Sequence, residues 1–276
     1  MTSVAGGPTT CANCGTPLSG PYCGSCGQKT APPNPTIGDF LHELSHELLH
    51  VDGKIFRSLR LLVAAPGALT REQFEGRRVR YISPIRLYLT FSVVYFAVAA
   101  LTPAINFRIT VGSQGTQGFS LRSPSEPRQS NPDELRRLGF DSQEELERAA
   151  GEAIVHWTPR AMFLLVPLFT AMIGLTVRRS GRNYPQQLHF ALHVHAAWFL
   201  ILTAGTLARF IPLRWTPLSF AVPVWVLVYL VLALRRAYGF RIGGALWRAG
   251  VVAVAYGLVL VATLAAMVLP EVLRDH

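Results

Sequence analysis

Residues 249–269 read Ala-Gly-Val-Val-Ala-Val-Ala-Tyr-Gly-Leu-Val-Leu-Val-Ala-Thr-Leu-Ala-Ala-Met-Val-Leu, an unbroken run without Asp, Glu, Lys or Arg. At about 1.5 Å per residue a helix of this length rises roughly 30 Å, the thickness of bilayer hydrocarbon. A soluble core helix seldom needs more than a dozen such positions, so the bilayer is the expected solvent. Working outward, Leu87 to Phe107, His189 to Ala208 and Thr216 to Leu234 have the same character. Ala161 to Val177 is slightly shorter and holds Pro167 and Gly174, which membrane helices tolerate when neighbours satisfy the freed backbone. Composition agrees, with 50% apolar and 15% charged residues among 276. Nothing at the N-terminus reads as a secretory signal, so the first membrane helix is expected to act as the insertion signal.

The net charge of +10 raises the question of nucleic acid, and its distribution along the chain answers it. With the N-terminus inside and five alternating spans, 16 cations and six acids fall inside and the outside sums to zero. The short loops are the better test of orientation, and they agree. Arg178, Arg179 and Arg182, then Arg235, Arg236 and Arg241, flank the two inner turns, while Arg209 and Arg214 alone mark the outer one. The basic balance is therefore read as topology and attraction to anionic lipid, and nucleic acid as an unlikely partner. The expected topology has the N-terminus in the cytoplasm and the C-terminus outside.

All four cysteines lie in the first 26 residues. Cys11-Ala-Asn-Cys14-Gly15 and Cys23-Gly-Ser-Cys26-Gly27 each place two thiols on one tight turn, and two such turns complete a tetrahedral site. In the reducing compartment expected for this end, structural zinc is a better reading than a disulfide. Four protein ligands leave no open position for water, so the metal is expected to present a small surface to a protein partner.

The fold class that follows is an all-α membrane protein of about five transmembrane helices, preceded by a minimal zinc ribbon and an amphipathic juxtamembrane helix. The expected layout is a ribbon over 1–29, a proline-rich linker over 30–35, a cytoplasmic amphipathic region over 36–83 and a bundle over 84–270. Its helices are expected at about 85–105, 160–178, 189–211, 216–234 and 247–269, with an outer segment over 108–157. Within that segment Ser142 and Glu145 form a capping-box start for a polar helix running toward Trp157 and Pro159.

Phe40, Leu41, Leu44, Leu48, Val51, Ile55, Leu59 and Leu62 repeat at helical spacing, predicting a helix on the membrane surface or packed under the bundle. His42-Glu43-Leu44-Ser45-His46 and the overlapping His46-Glu47-Leu48-Leu49-His50 match the H-E-x-x-H zinc-protease pattern. Those histidines fall opposite the leucine stripe, which describes a solvated polar face; a catalytic helix would turn them into a cleft with a third ligand. Arg77, Arg78 and Arg80 precede the first span and are candidate lipid-phosphate contacts, with positive-inside anchoring the simpler account. His189 and His193, at i and i+4 on one face with His195 nearby, form a second candidate polar or metal site, against ordinary polar residues at head-group depth.

Together these features resemble a bacterial membrane family catalogued as domain of unknown function 3667. The resemblance is carried by the paired cysteine turns, Val51-Asp52-Gly53-Lys54 with Arg57, Pro66-Gly67, the stretch Gly76 to Tyr88, and His189 to His193. It implies a bacterial inner-membrane protein and brings no activity or catalytic residue. Where the family tends to have Thr after the arginine, this chain has Ser58. The leading functional expectation is a non-enzymatic partner-docking or membrane-assembly protein. Small-solute or ion transport, resting on the prolines and the His189/His193 face, is the alternative, and a metalloprotease using His42, Glu43 and His46 the second. The sequence leaves the oligomeric state open.

Overall fold

The structure, a computed structural model, describes residues 9–30, 54–102, 136, 140–208 and 218–272. The helices are α1 (Lys54–Ala64), α2 (Ala68–Phe74), α3 (Pro84–Leu101), α4 (Gln143–Thr176), α5 (Tyr184–Ala208), α6 (Leu218–Tyr238) and α7 (Ile242–Val272), with a single 3₁₀ turn at Arg178–Ser180. Among the described residues, five segments are long and apolar enough to cross a bilayer: Pro84–Leu101, His156–Thr176, Tyr184–Ala208, Ala221–Tyr238 and Ile242–Met267. The chain is thus an all-α, multi-pass membrane protein.

It forms two compact units, Met1–Val93 with Val166–Tyr256, and Val94–Leu165 with Gly257–His276. In the first, α1 and α2 pack against α5 and α6. α1 buries Ser58 and Leu62, half-buries Ile55 and Leu59, and leaves Phe56 and Val63 exposed. Gly67 turns the chain between α1 and α2 at φ 79°, and a β-carbon there would lie 2.5 Å from the carbonyl oxygen of Ala233 on α6. Only glycine brings the turn that close. Tyr229 donates to the carbonyl of Leu62 at 3.0 Å and Arg236 to that of Pro66 at 3.2 Å. Arg182 sits over the Phe74 ring at 4.5 Å, and Arg248 donates to the carbonyl of Thr176 at 3.0 Å. The last turns of α4 and α6 and the first of α5 and α7 therefore gather at the end of the unit occupied by α1 and α2. This is what alternating spans demand.

In the second unit, Phe140, Leu146, Ala150 and Ala153 form a small core on the polar first part of α4, with Ala149 and Trp157 against it. Ser142 Oγ accepts the Glu145 amide at 3.2 Å, the capping start expected from the sequence. The expected break between this polar helix and the second span is absent, because α4 runs unbroken through Pro159. Proline removes the bond to the carbonyl four residues back, that of Val155, yet the helix continues; on either side the Thr158 hydroxyl donates to the Ile154 carbonyl at 2.5 Å and the Arg160 guanidinium to that of His156 at 3.1 Å. α5 likewise begins at Tyr184 rather than at His189. Asn183 and Gln186 cap each other reciprocally at 3.2 Å, which a count of charged and apolar residues does not register. The linker 31–35, the histidine face of 42–50 and most of the outer segment lie outside the described residues.

Candidate metal centre

The two cysteine turns are built alike. Cys11 N–H donates to Thr16 O and Cys23 N–H to Gln28 O, at 2.8 and 2.9 Å; Gly15 N–H reaches Cys11 O and Gly27 N–H reaches Cys23 O at the same two distances. Single antiparallel bridges pair Thr10 with Pro17 and Tyr22 with Lys29. Gly15 and Gly27 close the turns at φ 77° and 71°, where a side chain is strained. Each contact of the first turn recurs twelve positions later, so the knuckle is one motif used twice with its open sides facing.

All four sulfurs lie within 4.8 Å of one another. Cys11 Sγ is 3.6 Å from Cys26 Sγ, and Cys14 Sγ is 3.5 Å from Cys23 Sγ. A disulfide requires about 2.05 Å. A thiolate tetrahedron with metal–sulfur bonds of about 2.3 Å has edges of about 3.8 Å, so the observed spacing suits one ion held by all four. Hydrogen bonding to the Thr16 hydroxyl and amide pulls the Cys14 thiol down to about 6, and the Gln28 backbone pulls Cys26 down as well. Both shifts favour the thiolate that a metal binds.

The knuckle rests on the segment that leads into α3. Gln28 Nε2 donates to the carbonyl of Gly76 at 2.7 Å, while Gln28 Oε1 accepts from the amides of Arg78 and Val79 at 3.1 and 3.4 Å. Arg80 donates to the carbonyl of Asn13 at 3.1 Å. Gly76, at φ 78°, passes so close to Ala12 that an added β-carbon would sit 3.0 Å from the Ala12 methyl. Arg77 is held by Glu72 through two bonds of 2.6 and 2.7 Å, and also by Glu75. Arg77 lowers the Glu72 carboxyl through that fork, and Glu75 is lowered by Arg71 first and Arg77 second. Buried Ser58 accepts the Ile82 amide at 2.9 Å, fixing the segment from below. Of the three candidate lipid-contact arginines, Arg77 and Arg80 thus spend their guanidinium groups inside the chain, and Arg78 offers its amide to the knuckle.

The second candidate set lies in the interior of the chain. His189, His193 and His195 are all buried. His193 Nδ1 is 3.0 Å from the hydroxyl of Thr70 on α2, itself 1% exposed, so the ring fastens α2 to α5. His195 points elsewhere. Its Nδ1 is 2.8 Å from the Ala191 carbonyl, which can only accept, leaving Nε2 to accept from Tyr256 at 2.9 Å. Phe169 and Trp198 enclose that pair, with ring centroids 4.9 and 5.1 Å from the imidazole. Among the described residues the cysteines are the one group of His, Cys, Asp or Glu placed to share a metal ion. Gln28, Asn13 and Thr70 gave no sequence signal, since their partners lie 48 to 123 positions away.

The model of a family described as Protein of unknown function (DUF3667) matches residues 52–96. That segment comprises α1, α2, the Gly76–Pro84 platform and most of α3, so the resemblance read from the residues is supported where the knuckle docks. No curated protein and no solved structure matches the chain.

Proposed function

Starting from a chain that carries the DUF3667 segment at residues 52–96, we propose that it is a non-enzymatic inner-membrane protein whose knuckle holds structural zinc and docks a cytoplasmic partner. The observation that carries this is a closed four-thiol cluster fastened by Gln28 and Arg80 to the segment entering the first span. Four sulfur donors favour zinc, and a site closed by four protein ligands supports shape rather than turnover. With the platform side of the knuckle occupied, its outward edge carries Pro21 and Tyr22, the latter 58% exposed. An exposed aromatic on a metal-stiffened turn is the kind of anchor partner surfaces use. The N-terminus is inside in this reading, because the arginine-bearing short loops gather at the α1–α2 end.

The test uses full-length protein in mild detergent. Wild type should contain one zinc per chain and bring down a defined partner after cross-linking in cells. Cys14→Ser should lose both while the bundle still inserts. Tyr22→Ala should keep the zinc and lose the partner. Partner recovery unchanged in Cys14→Ser would refute docking through the knuckle, and a metal-free wild type would refute the zinc.

A further inference from the structure

An open cavity of about 430 Å³ lies between the α1–α2 turn and the end of α6, lined by the charged Arg71, Arg235 and Arg236 and by the apolar Ala64, Pro66 and Leu232. It shares Arg235 with a shallower neighbouring hollow of about 710 Å³ that adds Arg241 and Ile242. Several other arginines at this end are held by the chain itself: Arg77 by two glutamates, Arg80 by Asn13, Arg182 by Phe74, Arg248 by Thr176 and Phe240. Arg71 is paired with Glu75 and Arg236 donates only to a neutral carbonyl, while Arg235 and Arg241 have no acidic partner among the described residues. Among the described residues, the guanidinium groups of Arg235, Arg236 and Arg241 along these two hollows have no carboxylate partner.

Guanidinium forks match phosphate oxygens in pairs, and basic pockets at the ends of membrane helices hold anionic headgroups. The apolar lining identifies the source of the phosphate. Leu232 belongs to the Ala221–Tyr238 span and Ile242, half exposed, opens the next one. The groove thus joins charged residues to the ends of two segments apolar enough to cross a bilayer. A soluble phosphate ester has no use for that lining, and an acyl chain does. We infer that this groove binds the phosphate headgroup of an anionic phospholipid, with Arg235 and Arg236 as its principal contacts and the acyl chain lying along Leu232 and Ile242. This is independent of the knuckle and of any protein partner.

The experiment reconstitutes the full-length protein in phosphatidylcholine vesicles containing a minority of phosphatidylglycerol, extracts it gently, and counts retained phosphatidylglycerol by native mass spectrometry. Wild type should keep one per chain. With each surface cation contributing about five-fold, Arg235→Gln should weaken retention about five-fold and the Arg235→Gln/Arg236→Gln pair about 30-fold. Arg178→Gln/Arg179→Gln removes the same charge from a nearby inner loop outside the groove and should change nothing. Since Arg236 also steadies the Pro66 turn, Arg235→Gln carries the test if the pair fails to fold. Equal loss in the Arg178/Arg179 control would mean a diffuse field rather than a site and overturn the inference, as would full retention in Arg235→Gln. A second arm adds inorganic phosphate to delipidated protein. Thermal stabilisation as large as that from phosphatidylglycerol would assign the groove to a soluble anion and overturn the lipid.

Discussion

Replacing Gln28 by alanine probes the seating of the knuckle without touching a cysteine. Three contacts disappear: the 2.7 Å bond to the Gly76 carbonyl and the 3.1 and 3.4 Å bonds from the Arg78 and Val79 amides. A made hydrogen bond contributes about 1 kcal/mol net, and a covered amide left without a partner costs about 1–3 kcal/mol. Counting the longest contact as marginal, the loss is about 2–3 kcal/mol, or about 30- to 150-fold in the local opening equilibrium. Arg80 still holds the Asn13 carbonyl at 3.1 Å, so the knuckle loosens and stays tethered. Hydrogen exchange read by mass spectrometry on full-length protein in detergent reports that opening directly. The amides of Arg78 and Val79 should exchange faster by that factor, while the amount of metal bound, zinc on the proposed reading, stays at the wild-type value because no cysteine has changed. Gln28→Glu keeps an acceptor for both amides and loses only the donor to Gly76, so it should fall between. Unchanged exchange in Gln28→Ala with zinc in place would refute the docking geometry.

Two further outcomes follow from the first unit. Gly67→Ala forces a left-handed conformation on a side chain, at about 1–2 kcal/mol, and drives its β-carbon into the Ala233 backbone, for a total of about 3 kcal/mol. Tm in detergent should drop by about 6–12 °C, whereas Gly250→Ala, whose added methyl meets open space, should hold or gain; equal behaviour of the two would refute the close approach. The Glu72–Arg77–Glu75 cluster sets a pH dependence, because both carboxyls are held below their ordinary value in the fold. Their contribution is complete above about pH 4.5 and is lost as pH falls through the depressed folded values. Arg77→Gln should therefore cost about 1 kcal/mol at pH 7, a small figure for a partly exposed cluster, with the difference from wild type shrinking below pH 4.5. A constant difference in Tm across that range would count against the ion pairs.

Much of this protein can be read locally. An uncharged run meets a one-dimensional criterion, the thickness of hydrocarbon, so Ala249 to Leu269 declares a span without reference to any neighbour. The cysteines are legible for a related reason. Each turn brings two ligands by itself, and repetition of Cys-x-x-Cys-Gly after twelve positions supplies the rest. Reading by charge and hydropathy alone misplaced the starts of the second and third spans. α4 continues through Pro159, and the Asn183–Gln186 pair caps α5 through hydrogen bonds that composition does not record.

The arginines and histidines show where local reading ends. Arg77, Arg78 and Arg80 look alike in the sequence, yet one is locked to two glutamates, one presents its amide to Gln28, and one grips Asn13. His193 and His195 are two positions apart and serve different neighbours, Thr70 on α2 and Tyr256 on α7. That the chain crosses a bilayer and that its N-terminus gathers four thiols can be read residue by residue, because both depend on positions adjacent in the chain. Which polar groups are satisfied, and by whom, emerges only once the helices are packed. A buried donor or acceptor is stable only beside a partner, and here folding brings that partner from as many as 123 positions away.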